Sequence, residues 1–178
     1  MNGEYVRRTP IKELHEPCLK AVQEKGLGDG IRSDEWFDKV IELYQERFRT
    51  FPEFADKTYY FFVDDERVLF LPKAVKKVLK KDGADEALKL SADALEQLDT
   101  FDEENIEKAL RGVAERMEKG FGKVAQPVRV AVTGTNQSAE LFATLIVLGQ
   151  ERAVNRIRRA LELRERDAFP MVEEQSDG

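Results

Sequence analysis

The chain predicts an all-α fold: two consecutive helical bundles with no significant sheet. Three observations carry that prediction. Apolar residues recur at helical spacing in one segment after another. Serine, threonine, proline and glycine fall between those segments, where helix caps and breaks belong. The one stretch that alternates like a strand, Val128, Val130 and Val132, has no second strand to pair with.

Element by element, residues 1–9 read as an extended lead-in. Pro10 suits a first helical turn, and Ile11, Leu14, Cys18, Leu19 and Val22 then recur until Gly26, with Pro17 kinking or restarting the helix. Gly28-Asp29-Gly30 is a loop. Ser33 is placed as an N-cap, Asp34 and Glu35 complement the dipole, and Trp36, Phe37, Val40, Ile41, Tyr44 and Phe48 form an apolar stripe. Arg47 and Arg49 close that helix and Pro52 ends it, after which the aromatic segment 51–63 packs across the first two helices. Asp64-Asp65-Glu66-Arg67 is a polar break, and it divides the chain into residues 1–67, residues 68–168 and a flexible tail, 169–178. The second part predicts helices over 72–81, 84–98, 101–119, 139–148 and 151–168, the third with a Thr100/Glu103 capping box and a terminal Gly120. Between them, Pro127 at a first turn and Gly134 just past an end make 127–133 a two-turn helix rather than a strand.

Whole-chain totals narrow the function. At 178 residues, 42% hydrophobic and 36% charged, the chain is long enough for one well-packed domain or two small ones. No apolar run reaches membrane-spanning length, and Met1 to Arg8 is polar with no signal-type run behind it, so the expected compartment is the cytoplasm. One cysteine and one histidine leave almost no ligands for a zinc site. A net charge of −6 argues against indiscriminate RNA binding and leaves open one RNA recognised through a local surface.

Free-standing catalysis has no support. His15 reads as a solvated helix residue, Cys18 as a small core residue, and Asp64-Asp65 as solvated carboxylates. Gly26, Gly28 and Gly30 are not followed by the lysine and hydroxyl of a phosphate loop. Cations are more informative. Arg47 and Arg49 suit a helix C-terminus. Arg152, Arg156, Arg158, Arg159, Arg164 and Arg166 interleave with acids and read as an exposed, self-paired face; Lys76, Lys77, Lys80 and Lys81 form a second basic run. Arg129 sits among valine and alanine, where its charge needs a compensating partner, and is expected to present its guanidinium outward to unpaired nucleotides.

Several ordered segments carry a resemblance. Asn2-Gly-Glu-Tyr-Val-Arg7, Arg47-Phe-Arg-Thr-Phe-Pro-Glu-Phe54 with Tyr60-Phe-Phe62, Arg111-Gly112, Gly122-Lys-Val-Ala-Gln-Pro-Val-Arg-Val-Ala-Val-Thr-Gly134, and Leu141-Phe142 with Leu148-Gly-Gln-Glu-Arg152 follow one another in order. Together they resemble the C-terminal anticodon-binding region of bacterial-type glutamyl-tRNA synthetase. The resemblance implies that Arg47 reads the third anticodon base and that Arg129, Ser138 and Leu141 touch the first two, with Arg111 and Gln126 as further contacts. It implies tRNA(Glu) and the catalytic half of the same synthetase as partners, with no membrane and no DNA. It places ATP and Mg in that half, with no cofactor here. The nucleotide-binding signatures of the catalytic half need two histidines with glycine and a lysine-serine loop, and this sequence has neither. The chain alone is therefore expected to be inactive, a synthetase fragment in preference to a catalytically empty paralogue. The alternative is an acidic helical protein-interaction module, without RNA binding, that docks a partner through aromatic segment 51–62.

Overall fold

A computed structural model describes residues 3–173 as two compact units, Met1–Asp64 and Asp65–Gly178. Among the described residues there is no sheet, only an isolated parallel bridge between Phe70 and Met171.

The first unit contains α1 (Gly3–Arg8), α2 (Ile11–Glu24), α3 (Asp34–Tyr44) and α4 (Phe51–Thr58), followed by a 3-10 turn at Tyr59–Phe61. Residues 3–8 are thus helical rather than an extended lead-in, and buried Val6 anchors them. Helix α2 runs through Pro17 without a restart, with Leu14, Cys18, Ala21 and Val22 on its buried face. Ser33 caps α3 as expected, its hydroxyl accepting from the Trp36 amide at 3.1 Å. The helix then stops at Tyr44, so Arg47 and Arg49 lie beyond it, and Pro52 opens α4 instead of ending α3. Phe37, Phe54, Tyr60 and Phe61 are at most 1% exposed and meet edge-on or tilted, and the Tyr44 and Tyr60 hydroxyls lie 2.7 Å apart. Each such ring contributes about 1.5–3 kcal/mol by burial. Phe54, Tyr60, Phe61 and Phe62 of segment 51–62 are core, so they are not open to a docking partner.

His15 is another correction. It is not solvated: Nδ1 lies 2.6 Å from Asp38 Oδ1, and the ring stands edge-on to Phe37 at 5.4 Å. The pair ties α2 to α3. At Gly30, an added Cβ would lie 1.9 Å from the Phe62 carbonyl oxygen, so close approach of two backbones requires glycine there.

The second unit begins with a 3-10 turn, Asp65–Arg67. Helix α5 (Pro72–Ala74) widens into a π turn, Val75–Leu79. Then come α6 (Ala84–Glu96), α7 (Glu103–Met117), α8 (Gly122–Thr133), α9 (Leu141–Leu148) and α10 (Gln150–Arg166). Helix α6 packs against α7, α8 and α10, and its Leu88 and Leu95 are fully buried. Two caps differ from expectation. Asp102 caps α7 through the Asn105 amide, not Thr100, and Glu118 takes the left-handed position at its end (φ 57°), not Gly120. Residues 169–173 are held rather than frayed: Phe169 is buried against Phe70, and the Phe70 amide donates to the Pro170 carbonyl at 2.9 Å. The rest of the expected tail, from 174 onward, lies outside the described residues, as does Asn2.

The arginines of α10 are not an exposed, self-paired face. Arg166 pairs along the helix, with Glu162, while most of the others reach partners elsewhere in the unit. Arg156 is 1% exposed and donates to Asp65 Oδ1 at 2.7 Å and to the Val132 carbonyl at 2.9 Å, which also removes Asp65 from the solvated carboxylates. Arg158 reaches Glu96 and Asp93 on α6; these hydrogen-bonded carboxylates, Glu96 first, raise its already high pKa. Arg159 donates to the Glu66 and Val68 carbonyls, and Arg164 to the Leu79 carbonyl.

Candidate RNA-binding surface

Helix α8 places Arg129. It does so from Gly122, five residues earlier than expected, with Pro127 inside rather than at the first turn. Val124, Val128, Val130, Ala131 and Val132 are buried around it, which explains the strand-like alternation as core packing on a short helix. The helix ends at Gly134, whose φ is +82° and whose added Cβ would lie 2.0 Å from the Leu69 carbonyl oxygen. Only glycine fits both constraints.

The loop that follows is internally bonded. The Thr133 hydroxyl lies 2.7 Å from the Arg129 carbonyl, the Thr135 amide donates to that hydroxyl at 3.2 Å, and the Gln137 amide donates to the Thr135 hydroxyl at 3.1 Å. Glu140, not Ser138, caps α9, accepting from the Phe142 and Ala143 amides at 2.9 and 2.8 Å. The Ser138 hydroxyl instead accepts from Arg129 Nη1 at 2.6 Å, and the same nitrogen donates to the Ala139 carbonyl at 2.6 Å. Arg129 is consequently half-buried and held by the loop, not simply turned outward. Its charge has the compensating dipoles that its apolar setting demands.

Leu141 begins α9 and is only 4% exposed, so it packs behind this locus. Arg111 stands on the exposed face of α7, paired with Glu107 at 3.1 Å, and its guanidinium carbon lies 4.5 Å over the Phe121 ring. Phe121 is in turn 6.0 Å from Phe142, in the first turn of α9. Residue order alone does not single out Phe121 or Phe142. An aromatic set between two glycines, Gly120-Phe121-Gly122, is the one signal it offers. Gln126 is exposed and lines a separate cleft with Lys119 and Lys123.

Arg47 belongs to the first unit, in the loop between α3 and α4. Its side chain is exposed beside a cavity of about 530 Å³ that Arg7, Arg49, Glu53 and Lys57 also line. The loop is braced. Thr50 accepts from the Glu53 amide at 3.2 Å, Glu53 accepts from the Arg49 amide at 3.0 Å, and Lys57 bonds both Glu53 and the Arg47 carbonyl. The Lys57 ammonium, then the Arg49 amide, hold the Glu53 carboxyl below the ordinary carboxylate range.

The class of protein follows from comparison with known families. The profile of the family described as "Anticodon binding domain" matches residues 12–161, and the chain belongs to that family. Among curated relatives, it is 31% identical over 163 residues to a glutamate–tRNA ligase of Desulfosudis oleivorans, covering 92% of this chain and 34% of that protein. It is 35% identical over 165 residues to a glutamate–tRNA ligase of Thermus thermophilus, covering 90% and 33%. A crystal structure of a glutamate tRNA ligase from Elizabethkingia meningosepticum superposes with a TM-score of 0.78 at 25% identity, covering 90% of this chain and 31% of that one. The chain thus spans about a third of the length of the curated relatives it matches. No helix among the described residues is long and apolar enough to cross a membrane.

Proposed function

We propose that this chain recognises the anticodon of tRNA(Glu) as the non-catalytic C-terminal part of a glutamate–tRNA ligase. The observation that carries the proposal is Arg129, fixed by Ser138 and Ala139 at the entrance to α9, whose first-turn Phe142 meets the Phe121 ring under Arg111. Unpaired loop bases are read on their edges by hydrogen-bonding groups and on their faces by aromatic or guanidinium planes. Arg129 supplies the first kind of contact for the first two anticodon bases, with Ser138 positioning it. Arg111 and Phe121 supply the second, and Leu141 backs the site. Arg47 is assigned the third base. Catalysis, with its ATP and Mg, belongs to the synthetase half that acts with this region, in the cytoplasm.

Fluorescence anisotropy with glutamate and glutamine anticodon stem-loops tests this. Arg129→Ala is expected to weaken cognate binding by about 1–3 kcal/mol, the worth of a good base contact. Arg47→Gln is expected to lower the preference between the two stem-loops more than the affinity. Cognate affinity equal in wild type and Arg129→Ala would remove Arg129 from the site.

A further inference from the structure

In the second unit, four lysines gather with no carboxylate partner. Arg156, Arg158, Arg164 and Arg166 each meet an acid, and Lys80 meets Asp167. Lys77, Lys81, Lys119 and Lys123 make no ion pair among the described residues, yet all four line one cleft of about 610 Å³. Asp82 is the only acid in that lining. Four like charges gathered on one concavity repel each other, and they do so here in a chain whose net charge is −6. A positive cleft on an acidic molecule is a place where an anion gains and the protein's own groups do not.

The shape of the cleft suits a chain of anions. Lys77 comes from the π turn after α5, Lys81 from the turn before α6, Lys119 from the turn after α7 and Lys123 from the first turn of α8. The charges are therefore spread over four segments rather than focused on one point. Added Cβ atoms at Gly120 and Gly122 would meet nothing within 4 Å, so the backbone at that edge is open to approach. Gln126 lines the cleft from α8, three residues before Arg129. Side chains at that spacing start about 5–6 Å apart on one helix surface.

We propose that this cleft binds the phosphodiester backbone of the RNA, alongside the bases read at Arg129. The inference rests on RNA being the ligand, as proposed above, and adds a positioning role. Lysines act there as point charges on phosphates, holding register and contributing no sequence preference. An acidic peptide would meet the same lysines; the shared helix with Arg129 favours RNA.

The test compares the wild-type chain with Lys119→Gln/Lys123→Gln and Lys77→Gln/Lys81→Gln. All four side chains are exposed, and circular dichroism checks that the folds match. Stem-loop affinity is measured between 50 and 200 mM salt, with cognate and altered anticodons. Removing one lysine from a phosphate should lower the salt slope by ~0.7–0.9, so the affinity drop across that range becomes roughly 10-fold smaller for each pair. The ratio between cognate and altered anticodons should stay unchanged. A wild-type salt slope in both pairs overturns the inference while leaving anticodon reading intact. Reduced slopes in the variants, with no anticodon preference in the wild-type protein, uphold the cleft and sink the base reading. Binding of hexaglutamate by the wild-type chain with no binding of any stem-loop overturns both.

Discussion

Arg129 shows how one residue type in one setting carries information. A guanidinium surrounded by valine and alanine has to be compensated, and here the compensation comes from a serine hydroxyl and a backbone carbonyl supplied by the next loop. Cys18 shows the opposite case, a reactive group made inert. Burial, and secondarily the charge of Asp38, push its thiol up to about 12 from 9.0. A disulfide reagent at pH 8 should therefore label Cys18 only after denaturant is added. The sign for stability also follows. Between those two values the unfolded chain releases a proton that the folded chain keeps, so stability falls as pH rises. Cys18→Ala should show a shallower alkaline loss in urea titrations, and an equal loss in both proteins would remove Cys18 as its source.

At the scale of elements, α10 acts as a clamp. Its arginines reach the turn at Asp65–Arg67, helix α6 and the chain after α5, so one helix fixes several segments of the second unit. The pair of buried Arg156 and half-buried Asp65 is the central link. Arg156→Met removes the closest donor of Asp65, leaving Arg152 at 3.8 Å, and one donor of the Val132 carbonyl, and is expected to cost about 2 kcal/mol. It should lower the urea midpoint at an unchanged m-value. Adding Asp65→Asn should recover part of that loss, because the carboxylate that lost its closest donor is gone. The loop of Arg47 follows another design: a capping threonine, a carboxylate and a lysine hold the backbone while the Arg47 side chain stays outside. Rigid backbone around an exposed side chain limits the entropy lost when that side chain meets a ligand.

For the whole molecule, the charge balance sets how the proposed RNA binding would have to work. With a net charge of −6, general attraction to polyphosphate is weak, and affinity has to come from a few concentrated sites. A DNA hairpin, or an RNA hairpin with an unrelated loop, is accordingly expected to bind at least ~10-fold more weakly than the cognate stem-loop at 0.15 M salt. Competition anisotropy would show this, and equal competition by the unrelated hairpins would contradict it.

Much of this was legible in residue order. Helical periodicity, the Ser33 cap, the Gly134 stop and the ordered family motifs are local signals, and local geometry is what short-range sequence patterns encode. Pro127 misled because proline at a first turn and proline inside a helix look alike until the residues before it are seen to be helical. The α10 arginines misled because interleaved acids suggest pairing along the helix, whereas their partners are mostly distant in sequence. By itself, then, the sequence determined the all-α class, most of its helices and the need of Arg129 for a compensating partner. Only the tertiary structure decided that Ser138 holds Arg129, that Phe121 stacks under Arg111, and that four scattered lysines share one cleft. The physical reason is range: caps and periodicity act within one helical turn, while a site's partners meet only after separate elements have packed.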